Sequence, residues 1–294
     1  MVFFMTIEEI TPEFGLADKA LAALPTVFKD YLFKNQVVLV SGAGSGIGKA
    51  IAFLYARLGA KLVICGRKED KLSDCAAKIK EIFNVEVMIY PMTIRDPEQV
   101  NNLMDAIWTE HGRLDILVNN AGGQFASHAL DFSVKGWNAV IDTNLNGTWY
   151  MMQSAMKRWV KNSQHGNIVN ITAAVDRGLP GMAHTTAARA GVIALSKTIA
   201  VEWAPYNVRV NCIGAGSIES HGFTNYKPEN LPTFYSCNPM KHAGDVQDIA
   251  EAVVYLTASS GKFITGEVLN VEGGMLLWGE FWPAGKPDYF KSNE

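Results

Sequence analysis

The octet Ser41-Gly42-Ala43-Gly44-Ser45-Gly46-Ile47-Gly48 has the residue types and spacing for phosphate chemistry. It follows the apolar run Val37-Val38-Leu39-Val40 and precedes an Ala/Leu-rich stretch, 47–58, at helical spacing. Glycines there permit a tight turn and bring backbone close to a pyrophosphate, whose charge a helix N-terminus favours. Between a strand and a helix, the octet reads as a dinucleotide-binding turn, with a flexible loop as its plain alternative. A second chemical signal lies at Cys65-Gly66-Arg67-Lys68, after the apolar run Leu62-Val63-Ile64-Cys65. A carboxylate at that tip would accept hydrogen bonds from a free ribose 2′-hydroxyl, but none occurs before Glu69. Arg67 and Lys68 would instead pair with a 2′-phosphate, so NADP(H) is favoured over NAD(H). The plain alternative for these two cations is a solvated helix start.

These signals need elements to position them, and the chain supplies a regular alternation. A short continuous apolar run, as in a strand covered on both faces, occurs at 37–40, and further strands are expected at 62–65, 85–90, 116–118, 167–171, 208–213 and 268–271. Helical spacing fills 47–58, 68–83, a helix opened by Pro97, and then 135–162, 185–204 and 246–257. Such alternation predicts an α/β fold: one Rossmann-like, doubly wound parallel sheet with helices on both faces. We expect an N-terminal extension at 1–34 with a helix near 16–24, a catalytic domain at 35–275 and an aromatic tail at 276–294. No repeat, linker or low-complexity tract interrupts it.

Composition excludes other classes. Hydrophobic residues make up 48% of 294 and charged residues 19%, a globular balance. The net charge is −3, with no Lys/Arg-rich run, so nucleic acid is not an expected partner. Four cysteines, Cys65, Cys75, Cys212 and Cys237, form no Cys-x-x-Cys pair, and no metal is expected. Two fall in strand-like runs, which predicts buried free thiols in a reducing compartment. The N-terminal Val2-Phe3-Phe4-Met5 patch lacks a preceding basic region, and apolar runs are far shorter than a membrane span. A cytoplasmic protein is expected.

Further motifs, in order, resemble the short-chain dehydrogenase/reductase family across roughly residues 35–275. Ser41 to Gly48 is similar to its Thr-Gly-x-x-x-Gly-x-Gly turn, and Asn119-Asn120-Ala121-Gly122 matches its Asn-Asn-Ala-Gly signature. Asn144 matches the Asn that bends a helix and holds a catalytic water. Ile264-Thr265-Gly266 through Gly273-Gly274 resembles the last strand. The resemblance implies a nicotinamide cofactor held by Ser41, Gly42, Ser45, Gly46, Ile47 and Gly48, and by Arg67 and Lys68. It adds Thr93, Ile94, Asn120, Ala121 and Gly122, with Arg189, Gly216 and Ile218 near the nicotinamide. Segment 217–240 resembles the family's substrate lid, and Ala215 replaces the Pro usual before Gly216.

The catalytic segment departs from the pattern. Family members carry Ser and then Tyr-x-x-x-Lys. Aligning Arg189-Ala190-Gly191 with Lys-Ala-Gly puts Arg189 at the Lys, Thr185 at the Tyr, and Thr172 or Ala173 at the Ser. No Tyr lies between Tyr150 and Tyr206, and Lys197 lacks a Tyr partner. An aliphatic hydroxyl cannot relay protons as a phenol does, and Arg stays charged, although it can hold the ribose.

Within the family, Asn119 to Phe125 and His184 to Val192 resemble peroxisomal trans-2-enoyl-CoA reductases. The tail Gly279-Glu280-Phe281 resembles 2,4-dienoyl-CoA reductases. Gly181 to Thr185 resembles bacterial proteins assigned to citronellol and citronellal oxidation. This implies reduction of an enoyl or dienoyl thioester, in which the thioester oxygen needs hydrogen-bond donors rather than a proton. Asn144, His184, Thr185 and Arg189 are the candidate catalytic residues, with His184, Asp176 or a water as proton source. The alternatives are alcohol–aldehyde chemistry on a terpenoid, or a cofactor binder without turnover. The plain readings are a structural His184, a turn-forming Asp176 and a helix-bending Asn144. Tail aromatics Trp278, Phe281, Trp282, Tyr289 and Phe290 line a cavity or an interface, and a homo-oligomer, tetramer or dimer, is expected.

Overall fold

The computed structural model describes residues 13–277, 279 and 283–287. The expected tail aromatics and the apolar N-terminal patch lie outside these residues. Seven strands form one sheet: β1 (Val37–Ser41), β2 (Lys61–Gly66), β3 (Val87–Pro91), β4 (Ile116–Asn119), β5 (Gly166–Ala173), β6 (Val208–Ala215) and β7 (Val268–Val271). Their order is β3-β2-β1-β4-β5-β6-β7, and every pairing is parallel. Chain order reverses between β1 and β4, which opens a crevice at the carboxyl ends of these two strands.

Helices cover both faces, and strand alternation decides which residues meet which layer. Val38 and Val40 of β1 point into a core built with α2 (Gly46–Arg57), α3 (Glu69–Phe83) and α9 (Val246–Thr257). Val37 and Leu39 point the other way, towards α4 (Pro97–His111), α6 (Thr148–Lys161) and α7 (Ala183–Trp203). Burial on both sides explains why β1 reads as a continuous apolar run. Helix α4 starts as the sequence predicts, with Pro97 in its first turn and Asp96 accepting from the backbone N–H groups of Glu98 and Gln99.

Three differences from expectation have physical causes. Strand β3 begins at Val87 rather than 85, at a sheet edge where its residues are only half-buried. The helices expected at 135–162 are α5 (Val134–Ile141) and α6, and a π-helical turn (Asp142–Gly147) that periodicity does not show lies between them. Wide i→i+5 turns of this kind commonly mark functional positions within helices. The N-terminal helix is only α1 (Asp18–Ala23); Asp18 pairs with Lys49 of α2 at 2.6 Å, and Phe14 packs on Phe223 with ring centroids 5.7 Å apart.

Cys65 and Cys212, in strands, are buried free thiols as expected; Cys75, on α3, is buried too, and Cys237 is half-buried. Burial pushes Cys65 and Cys75 up to about 12 and Cys212 up to about 11, so all three stay neutral and unreactive at physiological pH. No helix among the described residues is long and apolar enough to cross a membrane. No cluster of potential metal ligands occurs among them either.

Leu39 is fully buried under the helix layer that carries α7. Leu39→Ala should therefore cost about 2–5 kcal/mol of unfolding free energy in a denaturant titration. A loss below 1 kcal/mol would mean that this layer is not packed as described.

Candidate active site

The Gly-rich turn joins β1 to α2 at the crevice. Gly42 has φ +68°, a region open to glycine, and turns the chain out of the strand. A Cβ on Gly48 would sit 2.4 Å from both the Gly42 carbonyl oxygen and Asn120 Nδ2, so the helix start presses directly on the turn. Ser41 and Asn120 tie that turn to the end of β4. Ser41 Oγ accepts from the backbone N–H groups of Asn120 (3.1 Å) and Ala121 (3.0 Å). Asn120 Nδ2 donates to the carbonyls of Ser41 (3.0 Å) and Gly42 (3.2 Å).

Helix α2 has no side-chain cap at its N-terminus, whereas α4 and α9 are capped by Asp96 and Asp245. Its first N–H groups thus face the crevice with no side-chain oxygen on them, as a pyrophosphate would require. Gly42, Gly44, Ser45, Gly66, Arg67, Lys68, Thr93, Ile94, Ala121 and Gly122 all line one end of the crevice, the end expected to take a cofactor's adenosine. Lys71 and Thr143 line it too, and neither stood out in the sequence. Lys71 follows Lys68 by three residues on α3, a spacing that could have revealed it. Its Nζ lies 3.4 Å from His221 Nε2 of the lid.

A second cleft of about 530 Å³ continues the first. Ile47, Asn120, Gly122, Thr172, Arg189, Gly216 and Ile218 line it, with the lid residues Phe223, Tyr226 and Phe234. Arg189 is partly exposed, but its Nη1 is enclosed with no hydrogen-bond partner among the described residues. The guanidinium occupies the place that a Cβ on Gly122 would fill, with Nη2 2.1 Å from it. Burial pushes the Arg189 pKa down to about 10, so it remains a cation at neutral pH. Ser217 Oγ is likewise enclosed and unpartnered. An uncapped helix start, three cations at the adenosine end and unpartnered donors further along fit a dinucleotide laid across the crevice.

The other expected residues do not all converge. Asn144, on the π turn, grips Gly123 from both sides: Oδ1 accepts from its N–H (2.9 Å) and Nδ2 donates to its carbonyl (3.0 Å). Nδ2 also donates to Thr185 Oγ1 at 3.1 Å. The Asn144 carbonyl accepts the Thr148 hydroxyl at 2.9 Å. Thr185 is fully buried, and its hydroxyl donates to Gln124 Oε1 at 3.2 Å. His184 is fully buried and does not line the cleft. Its ring sits 4.6 Å from that of Phe125 and 4.5 Å from that of Phe132, and Nδ1 accepts from the Thr185 N–H. Burial holds its pKa below the ordinary imidazole value. Thr172 gives its hydroxyl proton to the Ile213 carbonyl at 2.9 Å, while Asp176 and Lys197 are solvent-exposed.

Two further polar residues stand in the second cleft. Gln124 Nε2 donates to Tyr226 Oη at 2.7 Å, which joins the lid to the Thr185–Asn144 pair. Gln124 lay inside a recognisable motif, but nothing in the aperiodic lid sequence singles out Tyr226.

Known proteins are similar in sequence and in fold. The family model described as "Enoyl-(Acyl carrier protein) reductase" matches residues 42–276. A probable 2,4-dienoyl-CoA reductase of Bacillus subtilis is 32% identical over 249 residues, covering 83% of this chain and 98% of that protein. A 3-oxoacyl-[acyl-carrier-protein] reductase, FabG, of Thermotoga maritima is 33% identical over 246 residues, covering 83% and 99%. Among solved structures, the citronellol catabolism dehydrogenase AtuB of Pseudomonas aeruginosa superposes with a TM-score of 0.77 at 34% identity, covering 86% of this chain and all of that one. With its seven-stranded parallel sheet and Gly-rich turn, this chain belongs to the short-chain dehydrogenase/reductase family of nicotinamide-dependent oxidoreductases.

Proposed function

We propose that the protein is an NADP(H)-dependent reductase of the C=C bond in enoyl or dienoyl thioesters. The observation that carries this reading is the state of Thr185. Its single hydroxyl proton is committed to Gln124 Oε1 and its oxygen to Asn144 Nδ2, in a fully buried position. Helix α7 therefore offers no acid to the oxygen of an alcohol or ketone. Reduction of an enoyl thioester needs none there: charge developing on the thioester oxygen requires fixed donors and cations instead.

The bound cofactor would supply a hydride. Arg67, Lys68 and Lys71 surround the adenosine end and would meet a 2′-phosphate, whereas no carboxylate lines that end to receive a 2′-hydroxyl. Arg189, cationic and with Nη1 unpartnered, would hold the nicotinamide ribose beside Gly122. Asn144 and Thr185 act here as positioning residues for Gly123 and Gln124. His184 serves packing between two phenyl rings.

A homo-oligomer is part of the same reading. Trp149, Val160 and Trp203 surround a surface hollow on α6 and α7, with the two indoles stacked at 6.4 Å. Val160, on α6, is 46% exposed beside that hollow, which suits a contact with a second copy.

Two outcomes are expected. Purified protein should consume NADPH with trans-2-enoyl-CoAs and yield the saturated thioester, as followed by absorbance at 340 nm and mass spectrometry. Oxidation of citronellol with NADP⁺ and no thioester reduction would favour alcohol–aldehyde chemistry and overturn the reading. Arg67→Ala combined with Lys71→Ala should raise the Kd for NADPH by roughly 10- to 100-fold and leave that for NADH within about threefold. Equal losses for both cofactors would remove the 2′-phosphate assignment.

A further inference from the structure

A phenol stands in the cleft although α7 carries none. Tyr226 comes from the lid, between the turns His221–Asn225 and Pro228–Asn230, with its ring 4.6 Å from that of Phe234. It lines the same cleft as Arg189, Gly216 and Ile218. Its oxygen ends a chain of hydrogen bonds whose direction is set by the backbone. The Gly123 N–H can only donate, so it must face Asn144 Oδ1, which turns Asn144 Nδ2 towards Thr185. Thr185 Oγ1 receives that N–H and sends its own proton to Gln124 Oε1. Gln124 Nε2 then faces Tyr226 and donates to Oη. The phenolic oxygen is thus an acceptor within the chain, and its own O–H is left for whatever occupies the cleft.

We propose that Tyr226 is the general acid of this enzyme, delivering its O–H proton to the α-carbon of a bound enoyl thioester. The proposal rests on the thioester reading above. Reduced nicotinamide dinucleotide is the co-reactant and is oxidised by two electrons. Hydride addition at the β-carbon breaks the Cα=Cβ π bond and leaves its electron pair shared between the α-carbon and the thioester oxygen. A new Cα–H bond then forms as the Tyr226 O–H breaks. The phenolate is held by the Gln124 N–H and regains a proton from water.

Burial raises the Tyr226 pKa above its ordinary value, and the Gln124 bond opposes that rise. The group therefore stays a neutral phenol at physiological pH, ready to give a proton. The relay also assigns Asn144 and Thr185 a role despite their being buried away from substrate. They fix which end of the Gln124 amide faces the phenol.

Tyr226→Phe tests this, because it keeps the ring and its packing on Phe234. With trans-2-enoyl-CoA, kcat should fall at least about 100-fold, while KM and the NADPH Kd stay within about threefold. A second measurement needs no cofactor. In ultraviolet difference titrations, wild type minus Tyr226→Phe should isolate one phenol ionising above ordinary tyrosine. Gln124→Leu, which removes the N–H donor, should move that ionisation further up. Turnover by Tyr226→Phe within threefold of wild type, or a loss confined to KM, would overturn the assignment. So would an ionisation indifferent to Gln124→Leu. No reduction of any thioester by the wild type would overturn this proposal together with the reading beneath it. Preserved turnover in Tyr226→Phe would remove Tyr226 alone.

Discussion

The Ser41 hydroxyl and the Asn120 amide together make five hydrogen bonds to backbone where the ends of β1 and β4 meet. This is where the strand order reverses and the two paired strands send their connections to opposite sides of the sheet. Ser41 is 1% exposed, and an unmet polar group there would cost about 1–3 kcal/mol. The same bonds bring Asn120 against Gly42 and Gly48, closing the Gly-rich turn onto the start of α2. Both stretches of the crevice inherit their shape from that junction: the adenosine end on one side, and Gly122, Gly123 and Arg189 on the other.

Beyond the junction, control passes to the π turn. An ordinary α-helical turn at 142–147 would rotate Asn144 away from Gly123. The wider turn allows its amide to pair with both backbone groups of Gly123 and still reach Thr185. Thr185 is thereby tied to both Asn144 and Gln124. The Asn144–Thr185 end of this chain is buried, where an unmet polar group is costly, and it continues through Gln124 to the exposed bond with Tyr226.

Much of the fold was legible because period and burial coincide. Continuous apolar runs such as Val37 to Val40 report a strand covered on both faces, and Pro97 behind Asp96 reports a helix start. Part of the lining of the first cleft followed from glycine placement and from Arg67 and Lys68 at the tip of β2, whereas Lys71 and Thr143 did not. Other features left no local trace. The π turn has the same residue types as the helices it joins, so periodicity alone smoothed over it. His184 looked chemical, but two phenyl rings from the loop at 125–132 enclose it. Tyr226 sits in a segment without periodicity, where only the tertiary path of the lid brings it to Gln124.

The central claim is that a proton from the protein and a hydride from the cofactor add to adjacent carbons of a thioester. Running the reaction in D2O with unlabelled NADPH and trans-2-enoyl-CoA, then locating the label by NMR, tests it most directly. The account predicts one deuterium on the α-carbon of a saturated thioester and none on the β-carbon. A product reduced at oxygen, or one with no deuterium at the α-carbon, would contradict it.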